Sequence, residues 1–259
     1  MRDKVTRYFD FLLVMTIKEI KARYKSAVLG FLWMFLNPLL QMIIIGLIFS
    51  NFIKVPINNY FLFLFPGLLA WNFFSYSITK ATPSIVYERT LIQKSNFPRE
   101  AIPLSIVLSN FFHFLISICL FIFFLIIIGN FKNGNILSSS IYLFFSIFWL
   151  LIFTCGVSLL SSSLNVRFRD VNFFIQALVL LWFYATPVIF SLRVLPSNYL
   201  WIFQFNPLTY IFEIIHNSLI NTPFPQKDIL LSNLVLSIII VILGFIVFMK
   251  NSQNFSDWL

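Results

Sequence analysis

Charge is what this 259-residue sequence has least of: Asp, Glu, Lys and Arg make up 10% of it, against about 25% in an ordinary soluble domain. Hydrophobic residues make up 59%, where about 45–50% is usual, so a soluble globular protein is excluded. The net charge of +9 is spread too thinly over an apolar chain to suit a nucleic-acid groove, and suits a membrane surface instead. Cysteine is equally scarce. Cys119 and Cys155 both fall in apolar runs, which leaves neither a disulfide framework nor a Cys-rich metal site. Of the seven glycines none is followed by Lys, so the phosphate-cradling pattern Gly-x-x-x-x-Gly-Lys-Ser/Thr is absent and this chain does not itself use ATP. No internal repeat or low-complexity tail is visible, and no catalytic or metal-ligating cluster emerges.

Long uncharged runs are what the sequence has in abundance. Stretches able to cross about 30 Å of hydrocarbon run from Ala27 to Ile53, Tyr60 to Thr79, Ile102 to Asn130, Ile141 to Leu164, Phe173 to Leu192 and Ile229 to Met249. Those six spans contain His113 and no carboxylate, which argues against transport coupled to protons or sodium, because such transporters place ionisable groups within their spans. His113 reads as an interior hydrogen-bonding residue. If the chain moves a substrate uphill, another subunit supplies the energy.

Lys and Arg set the orientation. With a cytoplasmic N-terminus, the inside segments (1–26, 80–101, 165–172 and the tail from Lys250) hold fourteen basic residues, and the outside segments hold four: Lys54, Lys132, Arg193 and Lys227. Both termini are therefore expected in the cytoplasm. Residues 1–26 mix seven basic residues with Phe9, Leu12, Leu13, Ile17 and Ile20, and Asp10 interrupts the apolar core. That pattern fits a helix lying in the membrane interface better than a signal peptide; a solvated basic leader is the alternative. The segment 193–227 is as apolar as a span but holds Pro196, Asn206-Pro207, Glu213, His216, Pro223 and Pro225. Broken backbone at membrane depth is tolerated where protein or a water-filled cavity covers it. Two short helices that dip in from outside and return, hinged at Asn206-Pro207, are expected; an ordinary external loop is the alternative. Glu213 and His216 form the one outside pair that could serve a membrane enzyme.

Between the second and third spans, Lys80–Glu100 has room for a short helix that starts near Pro83 and ends by Pro98. Such a helix can sit in a groove of a cytoplasmic partner, or the loop is only a product of positive-inside topology. Arg169 and Asp170, between spans four and five, could cap the adjoining helices or pair with that partner.

Several strings carry a family resemblance. Arg23-Tyr24-Lys25-Ser26-Ala27-Val28-Leu29-Gly30-Phe31-Leu32-Trp33, followed by Asn37-Pro38, resembles the entry to the first span of the ABC-2 permeases that export lipid-linked polysaccharides such as O-antigen, capsule and teichoic acid. Leu164–Asp170 resembles that family's loop between spans four and five, and Asn206-Pro207-Leu208 its marker in the external segment. Leu91-Ile92-Gln93-Lys94 and Phe97-Pro98-Arg99 resemble its coupling region. His216 departs from the pattern, since members often carry Arg a few residues after the Asn-Pro.

The resemblance implies an all-α membrane protein of the bacterial inner membrane: one transmembrane domain, 1–259, with an amphipathic interfacial helix over 1–26, spans one to five over 27–192, a re-entrant pair of short external helices over 193–227, and span six with the tail over 228–259. It implies a homodimer of permeases with two ATP-binding-cassette subunits, which hold the ATP and magnesium, so that this chain is not itself an enzyme. The N-terminal helix together with Glu88, Arg89, Gln93, Lys94, Arg99, Arg169 and Asp170 would contact those subunits. Asn206, Pro207, Tyr210, Glu213 and His216 would form an external gate.

Two further expectations join resemblance to composition. Aromatics are 19% of the chain, and Trp33, Phe35, Trp182, Phe183 and Tyr184 are candidates to line a glycan conduit, because ring faces stack on sugars while permitting sliding. Packing and lipid contact are the competing explanation for each ring. Lys18, Lys21, Arg23 and Lys25 could receive the pyrophosphate of a polyprenyl-linked glycan, although topology alone also places cations there. A permease for a small lipid or drug, or a membrane enzyme acting on lipid-linked sugars, remain as alternatives.

Overall fold

The computed structural model describes residues 2–24, 32–52, 57, 59–94, 97–129, 136–220 and 227–259, and among these there are helices and connections but no strand. Among the described residues five helices are long and apolar enough to cross a membrane, with crossing stretches Phe35–Phe52, Tyr60–Ala81, Ala101–Ile127, Ser139–Arg167 and Leu230–Ser252. They belong to α2 (Trp33–Leu47, continued by a π-helical turn Ile48–Phe52), α3 (Tyr60–Ala81), α6 (Ala101–Ile127), α7 (Ile136–Arg167) and α11 (Lys227–Ser252). Ahead of them lies α1 (Arg2–Tyr24), which packs along α6.

The centre of the bundle is α3, buried along most of its length by α2, α6, α7, α8 (Asp170–Ala185) and α10 (Thr209–Ile220). Peripheral helices expose side chains as apolar as those they bury: Leu40, Ile44 and Leu47 on α2, and Ile242, Phe245 and Ile246 on α11. A helix apolar on all sides belongs in hydrocarbon. Two residues past the end of α6, Gly129 takes a φ of 72°, which keeps the α conformation from resuming at little steric cost.

The run expected as a fifth span over Phe173–Leu192 stops early. Its helix α8 ends at Ala185 and spans 16 residues, about 24 Å at 1.5 Å per residue, which is short of a full crossing. Thr186 is extended (φ −110°, ψ 141°) because Pro187 follows and its ring excludes the helical conformation from the preceding residue. The loop expected to hold one helix holds two, α4 (Ser84–Tyr87) and α5 (Arg89–Lys94), parted at Glu88. After α8 come α9 (Leu200–Gln204) and α10, separated at Asn206-Pro207, and α10 is buried on nearly all sides. The chain closes with α12 (Phe255–Trp258).

The helices α7 and α11 pack closely on each other. A Cβ on Gly244 would collide with the carbonyl of Gly156, and one on Gly156 would stand 2.7 Å from Cα of Val241. These two glycines let backbone lie on backbone. Gly244→Ala is therefore expected to force the helices apart and to destabilise the fold by about 1–3 kcal/mol, read as a lower thermal midpoint of the purified protein in detergent.

Candidate functional site

Among the described residues the stretch from Thr186 to Leu208 is irregular, and side chains from three helices, with Asn206 inside it, satisfy its backbone. Asn206 uses its whole amide: its Oδ1 accepts from Trp182 Nε1 at 2.9 Å and from the Leu208 N–H at 3.1 Å, and its Nδ2 donates to the Ala185 carbonyl at 2.8 Å and to Thr186 Oγ1 at 3.0 Å. From α11, Asn233 bridges the helix break. Its Nδ2 donates to the carbonyls of Phe203 and Gln204 at 3.2 and 3.0 Å, and its Oδ1 accepts from the Tyr210 N–H at 2.9 Å. One side chain thus closes the end of α9 and the start of α10. The Tyr60 hydroxyl of α3 donates to the Ile189 carbonyl at 2.6 Å, and the buried Glu213 carboxyl accepts from the Leu192 N–H at 3.2 Å.

Of the residues expected at a gate, Asn206, Tyr210 and Glu213 are brought into this network, and Pro207 forms the break. His216 is fully buried, its ring 4.0 Å from that of Phe63, and neither of its nitrogens has a hydrogen-bond partner. Gly67 makes room for it, since a Cβ there would stand 2.8 Å from His216 Nε2. Sequence reasoning missed Asn233 and Tyr60. The signal for the first was a lone amide in an otherwise apolar span.

At the opposite, basic end a cavity of about 410 Å³ opens between α1, α2, α3 and α6. Arg23, Lys80, Asn37, Asn72, Tyr76, Asn110, His113 and Ser117 line it together with Trp33, and no carboxylate is among its described lining residues. Arg23 donates to Asn110 Oδ1, which leaves the buried Asn110 Nδ2 without a partner. Gln41 and Asn72 are joined at 3.0 Å, and Asn37 and Tyr76 at 3.2 Å. Two cations and a set of neutral hydrogen-bonding groups facing one cavity suit an anion, and Glu19 stands beside the same Arg23 and Lys80 on the adjoining pocket. Of the expected entrance residues, Arg23 lines the cavity. Lys18 instead pairs with Glu88 at 2.7 Å, Lys21 is exposed, and Lys25 lies outside the described residues. Lys80 was read only as a positive-inside charge, and its convergence with Arg23 requires the packing of α1 on α6.

The aromatic candidates divide. Trp33 is half exposed and lines the cavity, and Tyr184 is exposed. Phe35 packs on Phe65 (5.4 Å between ring centres), Trp182 edge-on to Phe74 (5.3 Å) and Phe183 to Trp71 (5.4 Å). The last three rings belong to the packing around α3.

Beyond the cavity, α1, α4, α5 and α12 gather on one apolar cluster that holds Met15, Ile85, Ile92, Ile102, Phe248 and Phe255. Phe11 of α1 meets Phe97 at 5.0 Å. Where α1 packs on α6, burial, and then the Glu100 carboxylate, holds the Tyr8 phenol above its ordinary pKa. Arg89, Gln93, Lys94, Arg169 and Asp170 are exposed, whereas Glu88 is held by Lys18 and Arg99 donates to the Ser252 carbonyl and to Ser256 Oγ.

The Asn233 network makes a stability prediction. Asn233→Ala leaves two carbonyls and one N–H buried without that partner, at about 1–3 kcal/mol each, so the folded fraction in detergent should fall sharply in a thermal-unfolding assay. Asn233→Asp should do no better, because it keeps the acceptor for Tyr210 but sets a carboxyl oxygen against two carbonyls.

Comparison with known proteins agrees with this architecture. Residues 11–220 match the ABC-2 type transporter family. An O-antigen export system permease protein RfbA of Klebsiella pneumoniae is 35% identical over 271 residues, covering 99% of this chain and 98% of that protein. A protein of the same name from Myxococcus xanthus is 28% identical, covering 97% and 96%. The polysialic acid transport protein KpsM of Escherichia coli is 23% identical over 76% of each chain. With its several apolar helices this is a multi-pass membrane protein, and it belongs to the ABC-2 type transporter family.

Proposed function

We propose that the chain is the permease subunit of an exporter that carries a lipid-linked polysaccharide, of O-antigen, capsule or teichoic-acid type, across the bacterial cytoplasmic membrane. Similarity along nearly the whole length to O-antigen export permeases carries this reading. Energy comes from ATP hydrolysis in a separate subunit that binds ATP and magnesium, since this sequence has no phosphate-cradling loop. Two copies of the chain pair, and two ATP-binding subunits dock on the basic end, which faces the cytoplasm with both termini. In this arrangement α8, continued by the buried non-helical residues Thr186 to Ile189, serves as the fifth of six spans, and α9 and α10 enter from outside and return as the gate.

The chemistry of the cavity supports such a substrate. A polyprenyl-linked glycan presents a pyrophosphate at the membrane interface, where Arg23 and Lys80 offer charge and Asn110 an unpaired donor. Trp33, at the mouth, offers a ring face to the first sugar. The pair Glu213 and His216 does not favour an enzyme, because both are buried under packed side chains where no substrate reaches them.

Loss of the chain's gene should abolish surface polysaccharide while lipid-linked polymer accumulates inside the cell; normal surface polymer in that strain contradicts the reading. Arg23→Ala with Lys80→Ala should lower surface polysaccharide about tenfold or more at unchanged permease abundance, since charge-assisted contacts to phosphate contribute about 1.5–3 kcal/mol each. Trp33→Ala with Tyr184→Ala tests the conduit in the same assay: reduced export is expected, and unchanged export removes the aromatic lining from the account.

A further inference from the structure

Residues 252–259 join parts of the basic end that are distant in sequence. Phe255 is fully buried, edge-on to Phe248 at 5.5 Å, in the cluster that also holds Ile85 of α4 and Ile92 of α5. From the connection ahead of α6, Arg99 grips this segment at two points, the Ser252 carbonyl and, at 2.8 Å, Ser256 Oγ. From the end of α7, the Arg167 guanidinium lies 5.7 Å from the Trp258 ring, with Phe168 at 5.1 Å. One short segment therefore touches both the loop between α3 and α6 and the end of α7.

The helix that depends on it most is α5. Six residues do not hold a helix in place by themselves, and the main elements packed on α5 are its sequence neighbour α4 and α12. Its exposed side, Arg89, Thr90, Gln93 and Lys94, is free for a partner. A force applied there would tip α5 rather than move α3 and α6 unless something braces its buried side.

We infer that the segment 252–259 is a strut that fixes α5 to the end of α7, so that a displacement of either loop by the ATP-binding subunit reaches the spans as one movement. Arg99 and Trp258 are its positioning residues. They touch no substrate and act by holding α5. The inference rests on the reading that these loops receive the ATP-binding subunit.

The test uses the full chain with its ATP-binding partner, and reads surface polysaccharide in cells beside ATP hydrolysis by the purified complex. Trp258→Ala is expected to lower surface polysaccharide at least fivefold, with complex yield and ATP hydrolysis within twofold of the unaltered protein. Trp258→Phe, which keeps a ring for Arg167, should restore most of it. A loss of packing alone would lower yield and hydrolysis together with export. If Trp258→Ala does not accumulate, Arg99→Lys serves, because one ammonium cannot reach both acceptors as the guanidinium does; at least threefold lower export at normal yield supports the strut. Export within twofold of normal in both Trp258→Ala and Arg99→Lys overturns it. The underlying reading is checked separately by Gln93→Cys, with Cys119→Ser and Cys155→Ser, cross-linked to the ATP-binding partner. No cross-link overturns both the docking reading and the strut; a cross-link with normal export in the strut variants overturns the strut alone.

Discussion

Inside a bilayer no water is present to satisfy a backbone N–H or C=O, so each one left unpaired costs several kcal/mol. That constraint shapes the half of the molecule around Asn206. The chain leaves the helical conformation at Thr186 because of Pro187, and again at Asn206-Pro207, and each departure frees carbonyls and amides. Four side chains take them up: Asn206 within the segment, Asn233 from α11, Tyr60 from α3 and Glu213 from α10. The partners lie on different helices, so the irregular segment is tied to the bundle at several points.

The basic end obeys a different constraint. Cations are plentiful there, and the structure divides them by task. Arg23 and Lys80 line a cavity, Lys18 is spent on Glu88, and Arg99 and Arg167 hold residues 252–259. The exposed Lys18–Glu88 pair contributes about 0–1 kcal/mol and serves mainly to register α1 against the start of α5. Charge that sequence counting treats as one topological signal is thus divided among side chains that line a cavity, side chains that hold residues 252–259 and side chains left exposed, such as Arg89, Lys94 and Arg169.

Much of the fold was legible in the sequence, because a run of uncharged apolar residues is a property of consecutive positions. Its errors have local causes. The fifth run was drawn to Leu192 because Val188, Ile189 and Phe190 are apolar, although Thr186-Pro187 already marked the stop. The break at Asn206-Pro207 was legible for the same local reason. What stayed hidden depends on helices meeting. Nothing near Asn233 announces that it caps backbone 23 to 30 residues earlier, and nothing near Lys80 announces Arg23. Trp182 and Phe183 looked like conduit residues by composition, yet they pack on Phe74 and Trp71, because the side of α8 that carries them faces α3.

If side-chain amides close the backbone at the break, the amide protons of Leu208 and Tyr210 are shielded even though they lie in the most irregular part of the chain. Hydrogen–deuterium exchange of the purified protein in lipid nanodiscs measures this directly. The account predicts that these two amides exchange as slowly as those in the middle of α7. Exchange as fast as that of the exposed residues Asn198 and Tyr199 would contradict it.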